Sequence, residues 1–452
     1  MIRPPNTLQE LIFFFHIHTH SILWLQQPED STHWSSCISQ ESFRLGAAGA
    51  TRSRVDVSIR NHRFCLTGRS DQDVAQSVAL LGSLPGELGN ETLYLHSPNS
   101  IHYPSNGFDF DWNAIASPLT LKSLLHGNRR LAFLHVQLPE QLAVQLASQS
   151  SPVDLMLYDS SFTDDGNSFL QALRQRNTPF GTLTLNGCSS LKTTFLQPLY
   201  QLKHWEALRI VTYARTACTN NLLPFAADAE KVEYEMVVLG DEWKEIDSIT
   251  IVPRRFVLKL TKDCFGFPSV FLRASTQLIE LGIVTTYAMT EETQLHLIQA
   301  VQRNPVLETL ELGPVEWHWS LSLWQVLMDA IRCHDTLTRL KLYFRSSFDG
   351  GNQVFDDWRR IDVLVSMIKM NRNLINVNVV SEQREEWMDD LEKLIQFNRF
   401  CQGSRWIARE NEHHRICLLC RAMMEVLHED DRKSLSLLLL DHLDVICVLL
   451  QA

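Results

Sequence analysis

The sequence predicts an α/β solenoid, a row of strand and helix units stacked side by side. Three observations carry that expectation: a six-residue apolar pattern that recurs along the chain, an amphipathic segment of helical period beside each copy, and polar turns between them. The pattern reads apolar-x-x-apolar-x-apolar. In chain order its copies are Leu131/Leu134/Val136, Pro152/Leu155/Leu157, Phe180/Leu183/Leu185, Trp205/Leu208/Ile210, Ile246/Ile249/Ile251, Leu278/Leu281/Ile283, Leu307/Leu310/Leu312, Leu337/Leu340/Leu342 and Leu374/Val377/Val379. An earlier copy ends in Leu93 and Leu95. Successive anchors lie 21 to 41 residues apart, a spacing that signals stacked supersecondary units.

Three copies align over more than the apolar triplet. Asn304-Pro305-Val306-Leu307, His334-Asp335-Thr336-Leu337 and Asn371-Arg372-Asn373-Leu374 each enter the strand through a polar turn. Before each turn a helix is predicted, over Glu291 to Arg303, Ser320 to Arg332 and Arg359 to Met370, with apolar residues on one face. A strand of period 2 followed by a helix of period 3.6 gives a βα unit whose apolar sides must meet. One such unit cannot bury its own core, but parallel stacking of neighbours can.

The pattern resembles leucine-rich-repeat proteins, most nearly the divergent ribonuclease-inhibitor-like class. That resemblance implies parallel strands lining a concave face and helices on the convex face. The Asn or Cys that such repeats place three residues beyond the last apolar position is matched by Cys188. Elsewhere the sequence departs, with Pro139, Ser160, Tyr213, Arg254, Thr286, Val315, Arg345 and Glu382 at that place. The expected organisation is an N-terminal region over residues 1–85, poorly defined and in part disordered, then the solenoid over 86–400. An acidic irregular insertion is expected near 214–245, and a helical C-terminal cap over 401–452.

Composition narrows function. The 452 residues are 45% hydrophobic and 21% charged, which suits a packed core, and the net charge of −11 argues against a general nucleic-acid binder. Six arginines between Arg44 and Arg69 face only Asp56 and are read as a solvated stretch. The 10 cysteines are scattered singly, as in a reducing compartment, and no structural disulfide is expected. The apolar run Leu11 to Leu25 lacks the marks of a signal peptide, and Ser434 to Ala452 is interrupted by Asp441, His442 and Asp444. A cytoplasmic or nuclear monomer, off the membrane, is expected.

Few groups suggest chemistry. His16, His18 and His20 would share one side of a strand, an arrangement that suits a metal-dependent hydrolase, against a surface histidine cluster. His413 and His414 precede the pair Cys417 and Cys420, with Cys401 nearby, but a structural zinc site usually shows two ligand pairs. A single pair in a helical, apolar context is read as core packing. Trp317, Trp319 and Trp324 are read as a buried aromatic cluster in preference to a binding hot spot. No phosphate-cradling glycine loop, nucleophile-elbow serine or metalloprotease histidine pair occurs. No catalytic residue, cofactor or metal is therefore expected. Residues between the apolar positions would line the sheet's opposite face: Glu280, Gly282, Thr309, Glu311, Arg339, Lys341, Asn376 and Asn378, with Phe133, His135, Asp154, Met156, Thr182, Thr184 and Arg209 from earlier strands. Glu280, Thr309, Glu311, Arg339, Lys341, Asn376 and Asn378 are the expected contacts to a protein partner. The expected role is a non-catalytic scaffold, with a substrate-receptor subunit of a ubiquitin ligase as the alternative.

Overall fold

The computed structural model describes residues 42–45, 53–59, 62–68, 70–83, 92–97, 110–125, 129–187, 191–214, 219–238, 248–260, 267–285, 289–313, 319–343, 354–380, 386–428 and 432–451. It is mixed α/β, with long runs of parallel strands joined by helices. Two compact units emerge, one comprising Met1–Val238 with Thr250–Pro253 and the other Leu239–Ile249 with Arg254–Ala452. Each is taken by itself.

In the first unit the elements are β1 (Ser42–Leu45), β2 (Ser53–Ile59), β3 (His62–Gly68), α1 (Asp71–Ser83), β4 (Thr92–His96), a 3-10 turn Trp112–Ile115, α2 (Pro118–Leu124), β5 (Arg130–Leu134), β6 (Gln137–Leu138), α3 (Glu140–Ala147), β7 (Val153–Tyr158), β8 (Ser161–Phe162), α4 (Asn167–Arg174), β9 (Gly181–Asn186), α5 (Thr193–Tyr200), β10 (Trp205–Ala214), a 3-10 segment Thr219–Ala226 and β11 (Lys231–Val238). The strands lie in the order β1-β3-β2-β4-β5-β7-β9-β10-β11, and β6 pairs with β8 separately. β2 runs antiparallel to β3 and β4, and from β4 onward every pairing is parallel. So the region expected to be poorly defined, 1–85, contributes three strands and a helix.

Alternation explains the layers. In β7, Val153, Leu155 and Leu157 are buried while Asp154, Met156 and Tyr158 stay half-exposed. The buried side carries an aromatic chain: Phe162 to Phe169 (5.3 Å), Phe169 to Phe180 (6.1 Å) and Phe180 to Trp205 (5.2 Å). After β5, β7 and β9 the chain turns through left-handed residues, His135, Asp159 and Gly187. Their N–H groups donate to the carbonyls of Tyr158, Asn186 and Val211 on the next strand, so the turns stack like the strands do. Glycine suits the third turn because a Cβ there would run into the Asp159 carboxylate.

Two expectations change. Phe133, expected on the open face, is fully buried, and Leu134 sits on the half-exposed side instead. The core positions are Leu131 and Phe133, and the left-handed turn at His135 then returns Val136 and Leu138 to the interior. Likewise Leu155, Leu157 and Phe162 are buried around Ser160, whose hydroxyl accepts from the Val136 N–H (3.1 Å) and donates to the Phe133 carbonyl (3.0 Å). The second correction concerns the acidic stretch 214–245. It contains the regular strand β11, with Val232, Tyr234 and Met236 buried and Lys231, Glu233 and Glu235 between them. Of the supposed strand at Ile246/Ile249/Ile251, Ile246 lies outside the described residues and Ile249 and Ile251 lie in an extended link without regular structure.

The second unit runs β12 (Arg255–Leu260), α6 (Phe267–Ala274), β13 (Glu280–Thr285), α7 (Glu291–Arg303), β14 (Thr309–Gly313), α8 (Leu321–Arg332), β15 (Arg339–Tyr343), α9 (Val354–Met370), β16 (Asn376–Val380), α10 (Glu386–Arg409), α11 (Glu412–His428), α12 (Arg432–Asp441) and α13 (Leu443–Gln451). β12 to β16 pair in sequence order, all parallel. Thr290 and Ser320 cap α7 and α8 by accepting the Thr293 and Leu323 N–H groups. Leu281, Ile283, Leu310, Leu312, Leu340 and Leu342 form the buried face, with Leu297, Val301, Leu327 and Ile331 buried from the helices. Phe256 against Phe271 (5.4 Å) ties β12 to α6 on that side. Trp319 and Trp324 are buried as well, 6.1 Å apart and edge to face, and the Trp324 indole donates to the Arg360 carbonyl. α10 starts before the expected boundary at 401, and Ile407, Leu419, Val426, Leu438 and Val445 make a separate apolar cluster among α10 to α13.

Candidate recognition face

On the second unit's sheet, pairing places side chains in rows across the face away from its helices. One row is Arg255, Glu280, Thr309, Arg339 and Asn376, the next is Val257, Gly282, Glu311, Lys341 and Asn378, and the third is Lys259, Val284, Gly313 and Tyr343. All seven residues expected on this face are therefore brought together on it. Their accessibility differs. Glu280 and Glu311 are each 7% exposed, Thr309 and Lys341 are half-exposed, and Arg339, Asn376 and Asn378 are exposed. The accessible part of this face is thus β14 to β16, with Glu311 buried within it and Glu280 buried on β13.

Glu311 is held by its neighbours. Lys341 Nζ donates to Glu311 Oε1 at 3.1 Å, and the Tyr343 hydroxyl donates to the same oxygen at 2.6 Å. The ammonium also lies 4.7 Å from the centre of the Tyr343 ring. The ring covers Gly313, where a Cβ would come within 2.6 Å of it. For Lys341, burial acts to lower the pKa, but the hydrogen bond with Tyr343 and the Glu311 charge outweigh it and the net direction is up. Burial, then the bond to Glu311, raises Tyr343. Both therefore stay protonated at neutral pH. Tyr343 was not among the expected contacts; carrying the alternation one step past Lys341 would have found it.

The first unit's corresponding face carries Arg130, Asp154, Met156, Thr182, Thr184, Arg209, Lys231 and Glu233. Its charges pair: Arg130 with Asp154 through two bonds (2.9 and 3.0 Å), Arg209 with Glu233 (3.4 Å) and Lys231 with Glu233 (3.3 Å). The bond to Asp154 raises the Arg130 pKa. His135 lies beyond the strand, its ring against Tyr158.

A ladder of buried polar side chains bonded to the helix-to-strand turns holds the frame. Asn304, His334, Asn371 and Asn398 are buried. Asn304 donates to the Leu278 carbonyl (2.7 Å) and accepts from the Val306 N–H (3.1 Å). His334 Nε2 meets the Asn304 carbonyl (2.7 Å), and the Asn371 amide donates to Ile331 (2.7 Å). The Asn398 amide sits against the carbonyls of Ile368, Asn371 and Leu374. In the first unit Arg176 gathers most of these bonds, donating to the carbonyls of Ala147, Gln149, Ser151, Thr178 and Pro179, and buried Arg129 donates to the Gly82 carbonyl (2.6 Å). These side chains satisfy carbonyls that helix ends leave open. Three of them sit in the polar turns read from the sequence, which gave no hint of their burial.

The groups weighed for chemistry do not assemble. His16, His18 and His20 lie outside the described residues. Among the described residues no three His, Cys, Asp or Glu side chains converge as metal ligands. Cys417 and Cys420 are exposed on α11, not packed in a core, because Leu419 turns inward between them. His414 is exposed beside Glu410, the His413 side chain lies outside the described residues, and buried Cys401 receives an N–H from Arg372 (3.1 Å). Ser404 and His442 do meet, at 3.1 Å, with Asp441 2.8 Å from the hydroxyl. Yet both are buried, and the Arg415 guanidinium faces Nδ1 at 3.2 Å. Nδ1 must therefore accept, leaving the proton on Nε2, which donates to Ser404. Such an imidazole cannot take the serine proton, and burial followed by the Arg415 charge lowers its pKa. No described helix is long and apolar enough to cross a membrane. No protein-family model matches the chain, and neither does any curated protein.

Proposed function

We propose that this protein is a non-catalytic scaffold of leucine-rich-repeat type that recognises a protein partner through β14 to β16 of its second unit. The observation that supports this best is the block of exposed Arg339, Asn376 and Asn378 with half-exposed Lys341 and Tyr343, varied in chemistry and carried on a parallel sheet whose other face is buried. Varied polar groups on a rigid element suit a specific protein surface. The repeat assignment draws support from Leu131-x-Phe133-x-x-Val136-x-Leu138 and Leu155-x-Leu157-x-x-Ser160-x-Phe162, where Ser160 bonds the adjacent turn as a ladder residue of such repeats would. No cofactor takes part in this reading.

The test is retention of protein from native extract by the full chain, beside a variant carrying Arg339→Glu and Asn378→Arg. Both substitutions are at exposed positions, so the fold is kept. Loss of a discrete retained protein supports the reading, and identical retention by both overturns it.

A further inference from the structure

Resting on that reading, we infer that the β14 to β16 face takes an extended acidic protein segment whose carboxylates are two residues apart. The sign of the face comes first. Its rows carry four cations, Arg255, Lys259, Arg339 and Lys341, and two acids, Glu280 and Glu311. Cations outnumber acids on these rows, Lys341 is paired with Glu311 and Arg339 is exposed, so the face carries a net positive charge although the chain as a whole carries −11. A local field of this sign steers an acidic ligand to this face and away from the remaining surface.

Spacing comes next. Arg339 and Lys341 are two residues apart on β15, which separates them by about 7 Å along the strand. An extended peptide repeats its side chains on one side at the same interval, so acids at alternate positions meet both cations. Asn376 and Asn378 stand beside Arg339 and Lys341 in the paired register, and both are exposed. Each amide offers a donor and an acceptor, the complement of a peptide group. Glu311 and Tyr343 fix the Lys341 ammonium in advance, which spares ordering on binding. A nucleic acid fits less well: it needs many phosphate contacts from a basic surface, and the rest of this chain would repel it.

The experiment uses the full chain and fluorescence anisotropy with three short labelled peptides: Glu alternating with Ser, the same composition arranged as Glu-Glu-Ser-Ser repeats, and Lys alternating with Ser. The alternating acidic peptide binds tightest, weakens as salt rises, and loses about fivefold in each of Arg339→Gln and Lys341→Gln, the effect of one exposed charge contact. Equal binding of the two acidic isomers, or unchanged binding in Arg339→Gln, overturns the proposal. A labelled single-stranded oligonucleotide that binds as tightly as the peptide also overturns it. If no acidic peptide binds yet Arg339→Glu with Asn378→Arg still abolishes retention from extract, the acidic ligand is wrong and the recognition face stands. If that variant changes nothing either, both fall.

Discussion

The two units present the same kind of strand face and use their charges in opposite ways. In the first, Arg130 meets Asp154 and Arg209 and Lys231 meet Glu233, so cations and acids are paired at the surface. In the second, Glu280 and Glu311 are sunk into the sheet, Lys341 is paired with Glu311, and Arg339 is left exposed. A face whose cations and acids balance contributes rigidity, whereas one with cations in excess presents a field. The turns show a parallel contrast: one arginine gathers five carbonyls in the first unit, and asparagines take one to three each in the second.

The largest effect that would break this contrast is Arg176→Ala. It leaves several carbonyls without donors and costs about 3 kcal/mol in urea unfolding of the full chain. Arg176→Lys recovers little, because a point charge cannot reach a fan of carbonyls. A wild-type midpoint in the alanine variant would show that the ladder is not structural. Next, Asn398→Ala costs about 2 kcal/mol by the same assay, with faster amide exchange in β16 and α10. Asp154→Asn loosens a half-exposed pair and costs about 1 kcal/mol or less. Arg339→Gln leaves stability within about 0.5 kcal/mol of wild type and alters binding alone; an equal loss of stability in both would erase the distinction between the faces.

A fifth test concerns the helices beyond β16. His442 titrates below its ordinary value of 6.5 in the fold, so the unfolded chain binds the proton more readily. Stability from the neutral imidazole is complete above that value and is lost as pH falls below it toward the folded pKa. Protection factors in α10 to α13, which take out the intrinsic pH dependence of amide exchange, therefore fall from neutral to mildly acidic pH, and His442→Gln flattens that dependence. Protection factors that stay constant in the wild type would count against it.

Legibility varied with how cleanly the chain alternates. The strands at Leu310, Leu340 and Val377 were readable to the residue, since polar and apolar side chains alternate there, and six face residues followed. β5 was misread because Leu131-Ala132-Phe133-Leu134 is apolar at every step, so nothing in it distinguishes the two faces. β11 was taken for an insertion on account of its acids, although Glu233 and Glu235 fall at alternate positions between Val232, Tyr234 and Met236. A charge at every second residue is a strand signal as much as an apolar one is.

What the sequence alone determined is the alternation of parallel strands and helices, because burial of apolar side chains at periods of 2 and 3.6 is local and additive. What only the tertiary structure decided is which polar residues are spent inside. Glu311 and Asn378 look alike in sequence, each flanked by apolar neighbours. One is buried because Lys341 and Tyr343 on the next strand close over it, and the other is exposed because β16 is the last strand of its sheet. Such partners lie about thirty residues apart, one repeat along the chain, and come together only once the repeats stack.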